Sequence, residues 1–212
     1  MSLTVGNCVT DASFGTPIAS KGVSIVYVTE YDTGLIGKLT LGADESGLLG
    51  SWFNNDRYYL AGISEQLERV DSLPVFQQAT AWLDRYFAGA APNPNELPLA
   101  SRGTAFQLYV WRALTNIPYG EVVTYGDVAA EVARAQGKRT SARAVGGAVG
   151  RNPLCVIVPC HRVIGSSGNL TGFGGGIPCK IALLEHEGVD TSQFKVPTSG
   201  TALKGKDNQL PW

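Results

Sequence analysis

A proline-punctuated stretch, Ala91-Pro92-Asn93-Pro94-Asn95-Glu96-Leu97-Pro98, constrains this 212-residue chain more than any other segment. Proline fixes φ and lacks the backbone N–H, so neither a helix nor a sheet ladder can run through it. The stretch reads as a linker at 91–98. It divides the chain into an N-terminal unit at 1–98, a second unit at 99–190 and an irregular tail at 191–212, where Pro197, Gly200, Gly205 and Pro211 break any pattern. A chain of this length can bury a sizeable core in one large or two small domains.

Before the linker, Val23-Ser24-Ile25-Val26-Tyr27-Val28, Gly37-Lys38-Leu39-Thr40-Leu41 and residues 48–53 have strand composition between Asp/Gly/Ser turns, which predicts an antiparallel meander. Residues 74–89 have helical spacing, with Val75, Phe76, Ala79, Trp82, Leu83 and Tyr86 on one face. Beyond the linker, residues 104–114 form the next helix candidate, followed by the turn Ile117-Pro118-Tyr119-Gly120. Thr124 is an N-cap with Asp127 three residues on, and Val123 and Val128 flank it as a hydrophobic staple. That helix, near 125–135, ends at Gln136-Gly137-Lys138, and another runs from Thr140 or Ser141 to Val149. Two short helices joined by a glycine turn resemble a helix-turn-helix.

The net charge of −1 hides a polarity. Residues 1–101 hold five Lys/Arg against eleven Asp/Glu, a net −6, and residues 102–212 hold twelve against seven, a net +5. A basic C-terminal half fits a polyanion partner, and ordinary solvated faces fit the charge equally well. Residues 1–20 lack a basic start followed by an apolar block, which argues against a secretory leader, and no apolar run is long enough to span a bilayer. Four cysteines, Cys8, Cys155, Cys160 and Cys179, are few, and they read as reduced thiols of a cytoplasmic protein.

The second of the paired helices is unusual for a DNA reader. Ala142, Ala144, Val145, Gly146, Gly147 and Ala148 offer almost nothing to hydrogen-bond base edges in a wide major groove. A smooth helix with one long cation, Arg143, fits a minor groove or the gap left by an extruded base. The alternative is close helix packing inside a core.

Residues 154–158 are an apolar run that reads as a buried strand, and it delivers Pro159-Cys160-His161-Arg162-Val163. A thiol beside an imidazole can reach the thiolate state at neutral pH, which suits attack on carbon. The following loop at 165–176 is glycine-rich but lacks the Lys and hydroxyl of a phosphate-binding P-loop, so it reads as a pocket wall. Pro178 opens a helix that Gly188 closes, and Glu187 at its end is a candidate third member of a Cys/His/acid relay; a surface carboxylate is the other reading.

Four blocks then resemble the O6-alkylguanine-DNA alkyltransferases in their single-protein bacterial form. They are Gly120-Glu121-Val122-Val123-Thr124-Tyr125-Gly126, Ala142-Arg143-Ala144-Val145-Gly146-Gly147-Ala148, Asn152-Pro153 with Val158-Pro159-Cys160-His161-Arg162-Val163, and Leu183-Leu184-Glu185-His186-Glu187-Gly188. The resemblance implies an α/β, ribonuclease-H-like N-terminal domain acting as a scaffold, and a mainly α C-terminal domain with a winged helix-turn-helix. It implies single-turnover repair, in which Cys160 takes the alkyl group from O6-alkylguanine flipped out of double-stranded DNA, with O4-alkylthymine a further candidate. By the family pattern His161 relays the thiol proton through water, Glu187 holds the imidazole, Tyr125 hydrogen-bonds or protonates the leaving base and Asn152 braces the hinge. DNA contacts fall to Arg143, Tyr125, Gly126, Ala142, Ala144, Gly147, Arg151 and Ser166, through the minor groove. The pocket falls to Pro159, Val163, Phe173, Gly174 and Lys180. The resemblance implies no cofactor, no metal, no membrane and a monomer.

Two features depart from the pattern: Phe173 stands where many relatives carry tyrosine, and the stretch at 133–141 is longer and more basic than in compact relatives. Three rival readings carry their own markers. A non-catalytic alkylated-DNA-binding protein would replace Cys160. A metal site would draw on Cys155, Cys160, His161 and Cys179, although the alternation of 154–158 gives Cys155 a packing role. A Cys-His hydrolase would leave the Arg143 helix unexplained.

Overall fold

The computed structural model describes residues 24–196, so Cys8, the 1–20 segment and the tail beyond residue 196 lie outside the described residues. Strands β1 (Ile25–Asp32), β2 (Lys38–Asp44) and β3 (Gly47–Phe53) form the expected antiparallel meander. A fourth strand, β4 (Gln66–Arg69), lies parallel to β1, which corrects the purely antiparallel expectation and gives a mixed sheet of order β3-β2-β1-β4. All four residues of β4 are exposed, so no alternating apolar face marks it in the sequence. Helix α1 (Pro74–Phe87) starts with proline in its first turn and buries Phe76, Ala79, Trp82, Leu83 and Tyr86. It packs on β2 and β3.

The linker breaks regular structure, yet it is fixed in place. The Trp82 indole N–H donates to the Asn93 carbonyl at 2.9 Å, and Asn93 caps a single turn, Pro94–Glu96. Leu48 N–H donates to Pro98 O (2.8 Å) and Ala100 N–H donates to Leu48 O (2.9 Å), so the chain leaves the linker alongside β3.

Helices α2 (Ala105–Leu114), α3 (Tyr125–Gln136) and α4 (Ala142–Val149) pack against one another. Thr124 and Asp127 form the predicted capping box, and Gly137 closes α3 with φ +64°. Two short strands, β5 (Val123–Thr124) and β6 (Val163–Ile164), pair in parallel beside them, and α5 (Gly176–His186) covers the far side. Of the tail, Lys195 pairs with the glycine-rich loop at 165–176: its N–H donates to Gly168 O and its carbonyl accepts from Leu170 N–H. Among the described residues no helix is long and apolar enough to cross a membrane.

Residues 154–158 are buried as expected but are not a strand. Leu154 makes one bridge to Ser51, and the chain then coils, with Val158 N–H donating to Leu154 O (2.8 Å) and Ile157 N–H to Cys155 O (2.9 Å). Burial alone gives a short run the same apolar composition in a strand or a tight coil, so the pattern could not separate them.

The indole of Trp52, 1% exposed, lies over the backbone of Gly42 and Gly50. A Cβ on Gly50 would stand 2.1 Å from the ring. Gly50→Ala is therefore expected to destabilise the protein by about 1–3 kcal/mol through overpacking, read as a lower urea midpoint at unchanged m-value. An unchanged midpoint would mean that the ring does not rest on Gly50.

Candidate active site

Cys160 sits where a strained coil ends. Val156 has φ +71°, a region costly for a β-branched residue, and the Ile157-to-Cys155 hydrogen bond closes a positive-φ γ-turn around it. Pro159 (φ −80°, ψ 64°) makes the mirror-image turn, with Cys160 N–H donating to Val158 O at 2.8 Å. Asn152 holds this double turn: its amide donates to Val158 O (2.8 Å) and Leu154 O (3.4 Å), and its Oδ1 accepts from Leu154 N–H (3.0 Å). Cys160, His161 and Arg162 then form one tight turn, all three buried.

Glu187 is buried, so it is not a surface carboxylate. Its carboxylate accepts five hydrogen bonds: from Tyr86 O–H (2.7 Å), His161 Nε2–H (2.7 Å), Arg162 Nε–H (2.8 Å) and Nη2–H (2.9 Å), and Gly120 N–H (3.0 Å). Burial alone would raise its pKa, but the donors from His161 and Arg162, with the Arg162 charge, hold it well below the usual carboxylate range. A carboxylate can only accept, so Nε2 of His161 carries the proton and Nδ1 is the free base. Burial lowers the pKa of His161, with Glu187 opposing, so the ring is neutral at pH 7. Nδ1 is buried and has no hydrogen-bond partner among the described residues.

The Cys160 sulfur is 4% exposed as a residue and its pKa is lowered. The largest cause is the neighbouring Cys155 thiol; burial opposes it, the Asn152 side chain and the Lys180 charge assist, and the Asp56 charge opposes. The Lys180 ammonium is buried and donates to Val163 O (2.6 Å) and Thr171 O (3.2 Å), tying the pocket loop to α5. Burial brings its pKa down to about 8, the Cys160 charge opposing. Tyr125 O–H donates to the same Thr171 carbonyl (3.1 Å), and burial keeps its phenol above its ordinary pKa. Phe173 sits edge-on to both Phe53 and His161, with centroids 5.6 and 6.3 Å away, and has no hydroxyl to offer. Gly174 lies so close to Asp56 that a Cβ would come within 2.0 Å of its carboxylate.

Helix α4 turns Val145, Ala148 and Val149 inward. Ala142, Arg143, Ala144 and Gly147 face solvent, with Gly126, Arg151 and Ser166 also exposed. Core packing thus accounts for Val145 and Ala148, and partly for Gly146, but not for Ala142, Ala144 and Gly147. Arg151 stacks on Tyr58 of the N-terminal half (5.4 Å) and donates to Gly147 O.

Sequence reasoning missed Tyr86, Gly120 and Arg162 as partners of Glu187, and Asp56 and Cys155 near the thiol. Tyr86 sits on a helical apolar face and Gly120 acts through its backbone, so neither carries a sequence signal. Arg162, within the Cys-His-Arg run, carried the one available hint. Cys179 is buried and its pKa is pushed up to about 11 by burial, which fits packing. Among the described residues no three His, Cys, Asp or Glu side chains converge to hold a metal.

Two family profiles match this chain: that of "6-O-methylguanine DNA methyltransferase, ribonuclease-like domain" over residues 26–101, and that of its "DNA binding domain" over residues 105–189. A methylated-DNA–protein-cysteine methyltransferase of Haemophilus influenzae is 38% identical over 189 residues, 89% of this chain and 96% of its own length. One of Mycobacterium tuberculosis is 53% identical over 112 residues, 53% of this chain and 65% of that protein. The crystal structure of Mycobacterium tuberculosis OGT in complex with DNA aligns with a TM-score of 0.65 at 41% identity, covering 79% of this chain and 94% of that one.

Glu187→Gln would leave Arg162 buried without its counter-charge, a loss of about 3–5 kcal/mol at pH 7. Because the folded carboxyl is depressed, its stabilisation is full above the unfolded value of about 4.3 and lost as pH falls below it. Urea unfolding from pH 7 to pH 3 should show wild-type stability falling below about pH 4.5 more steeply than that of the variant. Parallel curves would mean that Glu187 is not held ionised.

Proposed function

The chain belongs to the 6-O-methylguanine DNA methyltransferase family, and we propose how its residues carry out the family's reaction. Its activity is DNA repair by stoichiometric, irreversible transfer of an alkyl group from O6-alkylguanine in DNA to a cysteine of the protein itself, which makes it a methylated-DNA–protein-cysteine methyltransferase acting once. Its architecture is a ribonuclease-like N-terminal domain followed by a DNA-binding domain.

The acceptor in this reading is Cys160. The observation that carries it is the free, buried Nδ1 of His161, the residue that follows Cys160 in the chain, with the ring proton held on Nε2 by Glu187. A water between Nδ1 and the thiol takes the proton from sulfur to the imidazole, leaving the thiolate. The thiolate attacks the alkyl carbon, an S–C bond forms, the C–O6 bond breaks, and its electron pair stays with the guanine. Tyr125 turns its hydroxyl from Thr171 O to the ring of the base and gives it the proton, so the guanine leaves neutral, and the proton taken from the thiol and left on His161 balances the charge of the phenolate. Pro159, Val163, Phe173, Gly174 and Lys180 wall the pocket, and Phe173 contributes contact only. The thioether resists hydrolysis, so one molecule repairs one lesion.

We assign the DNA contacts to the exposed face of α4 and its neighbours. α3 and α4 act as the helix-turn-helix, with β5 and β6 beside them as the wing. The smooth face of Ala142, Ala144 and Gly147 lies along the minor groove, and Arg143 fills the stack that the flipped base leaves. Gly126, Arg151 and Ser166 meet the backbone, and the basic 133–141 stretch adds phosphate contacts. Domain boundaries near 98/99 and 190/191, a monomer and a cytoplasmic location complete the reading. Cys160 argues against the non-catalytic rival, and the exposed Arg143 helix against a hydrolase.

Mixed with a duplex carrying one O6-methylguanine, the protein is expected to gain one methyl on the peptide containing Cys160, at one equivalent per molecule, by intact and peptide mass measurement. Cys160→Ser should bind the lesion without accepting the methyl. Arg143→Ala should slow duplex repair while leaving reaction with the free base less affected. A duplex still methylated under excess protein, with Cys160 unmodified, would refute the assignment.

A further inference from the structure

We propose that Asp56 is a specificity-determining residue: its carboxylate, fixed against the glycine-rich loop, turns away alkyl groups that carry a negative charge. The inference rests on Cys160 being the acceptor and concerns the substrate range of that same site. Asp56 stands in the turn after β3, where its N–H donates to Phe53 O (3.0 Å) and its Oδ1 accepts from Tyr58 N–H (2.8 Å). That turn sets Oδ2 against the loop: a Cβ on Gly174 would stand 2.0 Å from it, and the Cys155 sulfur lies 3.9 Å away. Phe53 seats the neighbouring loop residues. A Cβ on Gly175 would meet its ring at 2.9 Å, and Phe173 lies edge-on to it with centroids 5.6 Å apart. Residues 53–56 therefore back the 173–175 wall, and Phe173 in turn reaches His161 beside the acceptor.

Among the described residues no cation pairs with Asp56. The Tyr58 N–H is its close donor, and the Cys155 thiol stands at the long limit for a hydrogen bond. Burial raises its carboxyl pKa, with the Tyr58 N–H opposing, and its charge disfavours the Cys160 thiolate. The other charges of the site are held elsewhere. Glu187 is matched by Arg162, and Lys180 directs its ammonium to Val163 O and Thr171 O. A methyl group is neutral and passes Asp56 without penalty. A carboxylate on the transferred carbon would face both the thiolate and Asp56, and like charges repel most strongly where water is scarce.

The test compares second-order rates of transfer at pH 7 from three duplexes, carrying O6-methylguanine, O6-carboxymethylguanine and its carbamoylmethyl amide. The chemistry is the same for all: the S–C bond forms, the C–O6 bond breaks and the guanine keeps the electron pair. The amide matches the acid in size, so the acid-to-amide ratio reads charge, and effects on the thiol or on folding enter both rates and cancel. Wild type should take the amide faster than the acid. Asp56→Asn keeps the shape and the Tyr58 contact and should raise the acid-to-amide ratio about tenfold. Asp56→Ser, whose hydroxyl can also accept from the N–H two residues on, should do the same. A purely structural role would lower both rates and leave the ratio alone; that result, or equal rates in wild type, would overturn the proposal. Absence of transfer from O6-methylguanine by wild type would instead overturn the acceptor assignment beneath it.

Discussion

A carboxylate taken out of water is unfavourable unless donors surround it, and Glu187 has five. They come from separate parts of the chain: Tyr86 on α1, Gly120 in the turn after α2, and His161 and Arg162 in the turn that begins at Cys160. Glu187 itself caps α5. The demand of one buried charge therefore binds a helix of the N-terminal half to the chemistry of the C-terminal half. It also decides the state of the imidazole. With Nε2–H committed to Glu187, Nδ1 is the free base of the ring, buried and without a partner among the described residues.

The N-terminal sheet contributes through its edge. The outer side of β3 pairs first with the chain leaving the linker and then with the segment that carries Cys155 toward Cys160: Ser51 N–H donates to Pro153 O at 2.8 Å. The coil that precedes Cys160 includes a valine in the left-handed region, a conformation that surrounding structure must hold. β3 on one side and the Asn152 amide on the other hold it. Asp56 and Phe53, from the end of β3, reach the pocket loop at Gly174 and Gly175. A scaffold role for this half is thus a direct one, exerted on the backbone that carries the thiol.

Much of this was legible in the sequence because it depends on local rules. The capping box at Thr124, the glycine stop at Gly137, the apolar face of α1 and the break at the prolines all follow from residues a few positions apart. The Cys-His pair and Glu187 were legible as chemistry, and the small-residue helix through its unusual composition. What the sequence hid depends on distant partners. β4 is polar on every residue and exists through pairing with β1. The 154–158 coil has strand composition, and its shape comes from Asn152 and Ser51. Tyr86 lies 101 residues from the carboxylate it serves.

The account turns on the protonation of one imidazole. The chain has two histidines, His161 and His186, so their ring nitrogens can be resolved by long-range 1H–15N correlation and assigned with a His186→Gln variant. At pH 7 His161 should give the neutral ring with the proton on Nε2, and it should stay neutral below the ordinary histidine pKa of about 6.5. A proton on Nδ1, or an imidazolium at pH 7 in the unreacted protein, would contradict the claim that Glu187 sets His161 as the base for the thiol.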